Sequence, residues 1–398
     1  MISKRAAGAG GVVMGVLALA AVPMTLTAGA SPGGAEGGPQ ARSGQNPGPA
    51  GPSCTARTSA GMTLEQQVGQ LFIGGVDADE PAEAELAAVR DLHLGGVILT
   101  NGSQAGAETT RQVSEKAQAA ATTGGVPLWV SADQEGGKVQ HLKGPGFDAM
   151  PSAVEQGKLD PAQLRSQAEG WAGQLSSAGV NVNLAPVLDT VPEELGDENE
   201  PIGRLQRNYG TTPETVAAHG TAFQAGMTDA GVTPAVKHFP GLGRVIGNTD
   251  HSKDVKDDVT SRDDAYLHPF EEALSQGDPL VMISSARYTK IDPDNMAAFS
   301  QTILTGMLRD DLGFDGVIVS DDLGAAKAVE DVPPAERALR FLDAGGTVAL
   351  SVDAGVLPEM VDAVLQRART DEQFRAGVQA DAERVVKAKG AAGLLDCG

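Results

Sequence analysis

Eight short apolar runs, each followed by an amphipathic stretch of helical length, constrain this chain more than any other feature. The runs are Leu71 to Val76, Gly96 to Thr100, Leu128 to Asp133, Val182 to Asp189, Pro234 to Phe239, Leu280 to Ser284, Gly316 to Asp321 and Thr347 to Val352. Gly, Pro, Asn or Asp bound each of them, as expected of strands. Between them lie amphipathic segments such as Glu108 to Ala121, Pro161 to Ala178, Glu214 to Ala230 and Leu357 to Arg369. Strict alternation of buried strand and crossover helix dictates a parallel sheet. Eight units in roughly 300 residues match a closed barrel, whereas an open doubly wound sheet has fewer strands and a glycine-rich first turn. No GxGxxG follows the first run. The predicted fold class is therefore α/β, a single (β/α)₈ TIM barrel, with Asp371 to Leu394 as a closing helix and tail.

The segments before the first run are of a different kind. Lys4 and Arg5, the apolar run Gly8 to Thr27 and the small residues Ala28-Gly29-Ala30 read as a cleavable export signal over residues 1–30. A retained membrane anchor is the alternative reading of the same run. Residues 31–53, rich in Gly and Pro with hardly an apolar side chain, cannot bury enough surface to offset chain entropy and read as a linker. The barrel domain is then residues 54–398. Cys54 opens it and Cys397 almost closes it, and in an exported protein this pair predicts one disulfide joining the two ends. The expected product is secreted or held at the cell envelope, with no stable membrane insertion of the mature chain.

Lys+Arg 30 against Asp+Glu 52 gives a net charge of -22, which repels phosphate backbones and excludes nucleic acid as a partner. Aromatic residues make up only 4% of the chain, so a long cleft paved with stacking rings is disfavoured and a compact polar pocket expected. A terminal sugar fits such a pocket. No exposed strand or heptad stands out, so a monomer is expected.

A barrel builds its site from the carboxyl ends of its strands, and polar residues gather there. Asp133 ends the third run and Asp189 the fourth; Lys237 and His238 lie near the end of the fifth, and Asp321 with Asp322 ends the seventh. Side chains alternate along a strand, so one carboxylate of the Asp321-Asp322 pair enters the mouth and the other turns away to cap the next helix. A carboxylate nucleophile with a second proton-transfer group is what retaining glycoside hydrolysis requires. Lys237, His238, Asp189 and Asp133 could hold sugar hydroxyls through charge-assisted hydrogen bonds. A metal reading of His238, His251, Asp250 and Asp321 lacks any HxH or HExxH spacing. The long segment Gly241 to Lys253, which carries Asn248, Asp250 and His251, is expected to be a mobile lid bringing proton-transfer groups to the pocket.

Four motifs occur in order: Asp133-Gln134-Glu135-Gly136-Gly137-Lys138-Val139-Gln140, Asn183 to Asp189, Lys237-His238-Phe239-Pro240-Gly241, and Gly313 to Leu323 ending in Ser320-Asp321-Asp322-Leu323. Together, from about Leu64 to Val364, they resemble glycoside hydrolase family 3 in its single-barrel β-N-acetylglucosaminidase branch. The resemblance implies a retaining enzyme that removes terminal β-linked N-acetylglucosamine, commonly from peptidoglycan fragments, with no metal or organic cofactor. It implies Asp321 as nucleophile and Asp133, Arg207, Lys237 and His238 as sugar-binding residues. Where the family motif ends in Arg, this chain has His141, which becomes the candidate for that sugar or leaving-group contact. The branch usually carries KHFPGHG followed by a DSH tripeptide whose His is the acid/base. Here Leu242 replaces the first of those His residues. Asp250 falls where the acid/base His stands, Asn248 where its Asp stands, and His251 one residue late. Asp250 and His251 are both candidates for the acid/base. A broader exo-β-glycosidase of the β-glucosidase type, and a catalytically weak sugar-binding protein of the envelope, are the alternative readings.

Overall fold

The computed structural model describes residues 53–395; the expected export signal, nearly all of the linker, and Cys397 lie outside them. Ser53, expected to end the linker, instead caps a helix, its side chain accepting from Ala56 N–H. Eight parallel strands close into a barrel: β1 Phe72–Asp77, β2 Gly96–Thr100, β3 Trp129–Ala132, β4 Val182–Asn183, β5 Thr233–Phe239, β6 Leu280–Ile283, β7 Ile318–Asp322 and β8 Val348–Ser351. Each strand pairs with its neighbours in sequence, and β1 closes on β8 with Phe72 opposite Ala349. The seam is tight. A Cβ on Gly75 would stand 2.0 Å from the Val352 carbonyl oxygen, so only glycine lets the two chains approach so closely there.

The strands are apolar because both their faces are covered, by packed side chains inside the barrel and by helices outside. Local signals start the helices where the sequence places them. Pro161–Ser177 opens with Asp160 accepting from Ala162 N–H and a proline in its first turn, and Pro213–Asp229 repeats the device with Thr212. These two helices pack on one another over β4 and β5. The segment Thr302–Asp311 is wound as a wide π-type helix, ending with Leu312 N–H bonded back to Met307 O. Among the described residues, no helix is long and apolar enough to cross a membrane.

At the amino-terminal floor of the barrel, two helices mark the ends of the domain: α1, Cys54–Ala60, and α2, Glu372–Ala391, which pack together. From α2, Lys389 reaches fully buried into the floor, where its Nζ donates to Gly95 O (2.6 Å) and Gln70 Oε1 (2.8 Å) and lies 5.1 Å from the Trp129 ring centre.

Candidate active site

At the opposite end of the barrel, the ends of four strands and the loops beyond them bring charged groups together. After β3 the chain folds into a small antiparallel hairpin, Gln134–Gly136 against Val139–Gln140, which sets Asp133 and Glu135 at the mouth. Gly136, with φ +106°, makes the turn; a Cβ there would meet the Pro151 carbonyl oxygen at 2.2 Å. Lys237, near the end of β5, is 2% exposed and bridges the two carboxylates, at 2.6 Å from Asp133 Oδ1 and 2.7 Å from Glu135 Oε1. Arg207 grips Glu135 through two parallel bonds, Nε to Oε2 at 2.8 Å and Nη2 to Oε1 at 2.7 Å. Its Nη2 also lies 3.5 Å from His238 Nε2.

Buried charges of both signs set one another's acidity. Burial alone would push the Glu135 carboxyl up, but the Arg207 and Lys237 cations outweigh it and hold it down at about 2. Asp133 is likewise lowered, against burial, by Lys237 and His141. The two carboxylates in turn raise Lys237 although burial opposes its charge. The result is a rigid frame in which every member stays ionised near neutral pH. His141 follows this hairpin; its backbone N–H donates to Asp133 O at 3.1 Å, and its Nδ1 is buried without a partner among the described residues.

His238 faces the same mouth and is held from behind. Asp189, fully buried, takes the His238 Nδ1 at 2.7 Å, the His238 backbone N–H at 3.2 Å and the Leu242 N–H at 2.7 Å. With these three bonds made, Asp189 is a support for His238 and for the start of the next loop, not the sugar ligand that its place at a strand end suggests. A carboxylate on Nδ1 leaves Nε2 directed to the site.

Asp321 lies at the end of β7, partly exposed, with its Oδ1 accepting from Asp322 N–H at 2.9 Å. Burial raises its carboxyl to about 6; positive charge at His238 would oppose that rise and the charge of Asp250 adds to it. Asp322 points elsewhere, accepting from the N–H groups of Gly324, Ala325 and Val352. The adjacent aspartates face apart as strand alternation predicts, but Asp322 ties down a turn and does not cap the next helix, the following helical segments having Ala326 and Pro333 as their N-caps.

Asp250 is exposed and lies near enough to Asp321 for its charge to raise that carboxyl. His251 is exposed, and the charges acting most strongly on Asp321 are those of His238, Asp250 and Lys237. The segment that carries both candidates is not the free lid expected from its length and glycines. Asn199, fully buried, donates through Nδ2 to Leu242 O (2.8 Å) and Val245 O (2.7 Å), and Tyr288 Oη donates to Gly241 O (2.9 Å). Glu200 N–H adds a bond to Ile246 O at 3.1 Å, and Arg287 N–H one to Val255 O at 2.9 Å. Backbone groups that a mobile loop would leave to water are here paired with neighbouring loops.

Sequence reasoning missed Glu135 as a functional group, although it stands two residues after Asp133 in the same motif. Among the described residues there is no group of three or more His, Cys, Asp or Glu placed to hold a metal ion. A cavity of about 540 Å³ lined by Asp148, Pro151, Gln167 and Trp171 contains none of these site residues.

What the ring can do is bind a small polyhydroxylated ligand by many fixed charges and present one carboxylate of raised pKa to it, with a second carboxylate alongside. The model of the glycosyl hydrolase family 3 N-terminal domain matches residues 63–388. The crystal structure of a β-N-acetylhexosaminidase from Beutenbergia cavernae superposes with a TM-score of 0.82 at 48% identity, covering 83% of this chain and 99% of that one. Beta-hexosaminidase LpqI of Mycobacterium tuberculosis is 31% identical over 94% of this chain and 97% of its own length. The beta-hexosaminidase of Stenotrophomonas maltophilia is 33% identical over 74% of this chain and 86% of its own.

Proposed function

Because the chain belongs to glycosyl hydrolase family 3, we propose that it is a retaining exo-β-N-acetylglucosaminidase with Asp321 as nucleophile and Asp250 as acid/base. The observation that carries the reading is the placement of Asp321 at the end of β7, with the loop after that strand bonded to the backbone of Asp250 through Lys327 N–H at 3.3 Å. In the first step Asp321 attacks the anomeric carbon while Asp250 gives its proton to the departing oxygen, forming a glycosyl ester. In the second, Asp250 takes a proton from water as the water oxygen displaces Asp321 from the same carbon. Asp133, Arg207, Lys237, His238 and His141 are read as groups that bind the sugar or its leaving group, and the hexosaminidase names of the relatives support N-acetylglucosamine in the outermost subsite.

The substrate source is proposed to be cell-wall fragments in which this sugar ends a chain, and the place of action the outside of the cell, as residues 1–30 suggest. A disulfide between Cys54 and Cys397 belongs to the same reading; the packing of α1 on α2, which brings the domain's ends together, supports it. A monomer is proposed for the working state.

The test is hydrolysis of matched aryl N-acetyl-β-glucosaminide and β-glucoside by wild type, Asp321→Asn, Asp250→Ala and His251→Ala, with and without azide. Selective cleavage of the first substrate, loss of turnover in Asp321→Asn, and azide rescue of Asp250→Ala through a β-glycosyl azide are expected. An active Asp321→Asn protein, or rescue of His251→Ala in place of Asp250→Ala, would overturn the assignment concerned.

A further inference from the structure

The far end of the Asp250 loop is fastened to the loop that follows the nucleophile strand. Lys327 N–H and Ala328 N–H, the first amides of the turn Lys327–Val329, donate to Asp250 O at 3.3 Å and Thr249 O at 3.0 Å. Three residues beyond Asp250, Lys253 Nζ pairs with Asp331 Oδ1 at 2.7 Å and with Glu330, and Glu330 is also paired with Lys327. One carboxylate is thus shared between an ammonium on each loop. None of these side chains belongs to the ring that would hold the sugar.

We propose that Lys253, with Glu330 and Asp331, is a positioning group for acid–base catalysis: a charged clamp that fixes where the Asp250 carboxylate stands relative to Asp321. The proposal rests on the reading of Asp250 as the acid/base. Asn248 organises the segment into a compact turn, its Oδ1 accepting from Asp250 N–H (2.9 Å) and its backbone oxygen from His251 N–H (3.1 Å) and Ser252 N–H (2.8 Å). Those bonds tie the turn into one unit. Its near end is held by Asn199 and its outer end by the Val255–Arg287 bond, so the motion left to it is rocking toward or away from Lys327–Val329. The two backbone bonds and the clamp oppose that rocking. Because a displacement of about 1 Å in a reacting group costs up to about a hundredfold in rate, a clamp outside the site can act on chemistry inside it. Lys253 is 43% exposed and Asp331 77%, so the clamp is weak enough to open and is screened by salt.

The test compares kcat/KM of the full-length wild type, Lys253→Ala, Lys253→Arg and Asp250→Ala on two substrates. One is a dinitrophenyl N-acetyl-β-glucosaminide, whose leaving group needs no proton; the other is a disaccharide, whose leaving group does. Lys253→Ala is expected to lose about threefold to tenfold on the disaccharide and nothing on the aryl substrate, with Lys253→Arg restoring the loss. Salt at about 1 M should bring the wild type down to the Lys253→Ala level and leave that variant unmoved. Equal losses on both substrates, or none on either, while Asp250→Ala shows the selective loss, overturn the clamp alone. Absence of a selective loss in Asp250→Ala overturns the acid/base reading and the clamp with it.

Discussion

Glu135→Gln probes the charge frame at its most buried point. Glu135 is 4% exposed and meets two cations, Arg207 and Lys237, each at 2.7 Å. Its carboxyl titrates at about 2 in the folded protein against 4.5 for the free group. The difference of about 2.5 pH units corresponds to roughly 3 kcal/mol of folding free energy. The sign follows from the depressed value: the contribution is fully present above about pH 4.5 and disappears as pH falls through about 2. Glutamine keeps the shape but not the charge, and leaves Arg207 and Lys237 with Asp133 as their near counter-ion. Removing one partner of a buried ion pair generally costs about 3–5 kcal/mol, the same size. Urea unfolding of both proteins near pH 7 should therefore give a deficit of roughly 3 kcal/mol in the variant. Repeated at steps down to about pH 3, the deficit should shrink as Glu135 of the unfolded wild type, with the free value of 4.5, takes up its proton. A deficit under about 1 kcal/mol near neutral pH, or one that stays constant down to about pH 3, would refute the claim that Glu135 is the counter-charge of the frame.

Charges elsewhere carry two further expected outcomes. Since Asp321 must be ionised to attack and titrates at about 6, kcat/KM on an activated aryl substrate should rise with pH through about 6; Asp250→Asn, by removing a like charge, should move that limb to lower pH, and an unmoved limb would show that the two carboxylates do not sense each other. Burial lowers Lys389 from 10.5 to about 7, so the unfolded chain binds more protons across that interval and stability should rise with pH from about 7 to 10.5. The thermal midpoint, followed upward from about pH 7, should lose this slope in Lys389→Met, and a slope that survives the substitution would remove Lys389 as its source.

The barrel was legible because each of its strands is a compact apolar run bounded by turn residues, and β2 begins and ends where the sequence places it. The fourth run is longer than its strand. Regular pairing there covers only Val182–Asn183, after which Pro186 has no N–H to give a ladder and Val187 alone bridges to Lys237. In the site, Asp133, Lys237, His238 and Asp321 announced themselves as charges at strand ends. Glu135 did not, because its partner Arg207 lies 72 residues away and no local pattern joins them. Asp189 is legible as a charge at a strand end but not as an anchor, since a buried anchor and a ligand look alike in sequence. Asn199 sits in the acidic stretch Glu193 to Glu200 with nothing to mark it, so the latch that turns the expected lid into a fixed arm was invisible. Lys389, in the closing helix, has no local pattern to mark it and is wholly buried.

The pairing of α1 with α2 at the floor, with Lys389 reaching in beside it, also sets an orientation. The described domain receives and releases its chain on the side away from the ring of charges. A purification tag, a fused partner or a surface attached through either end would thus leave the mouth facing outward. Immobilised through residues before Cys54, the protein should meet its substrate as readily as it does in solution.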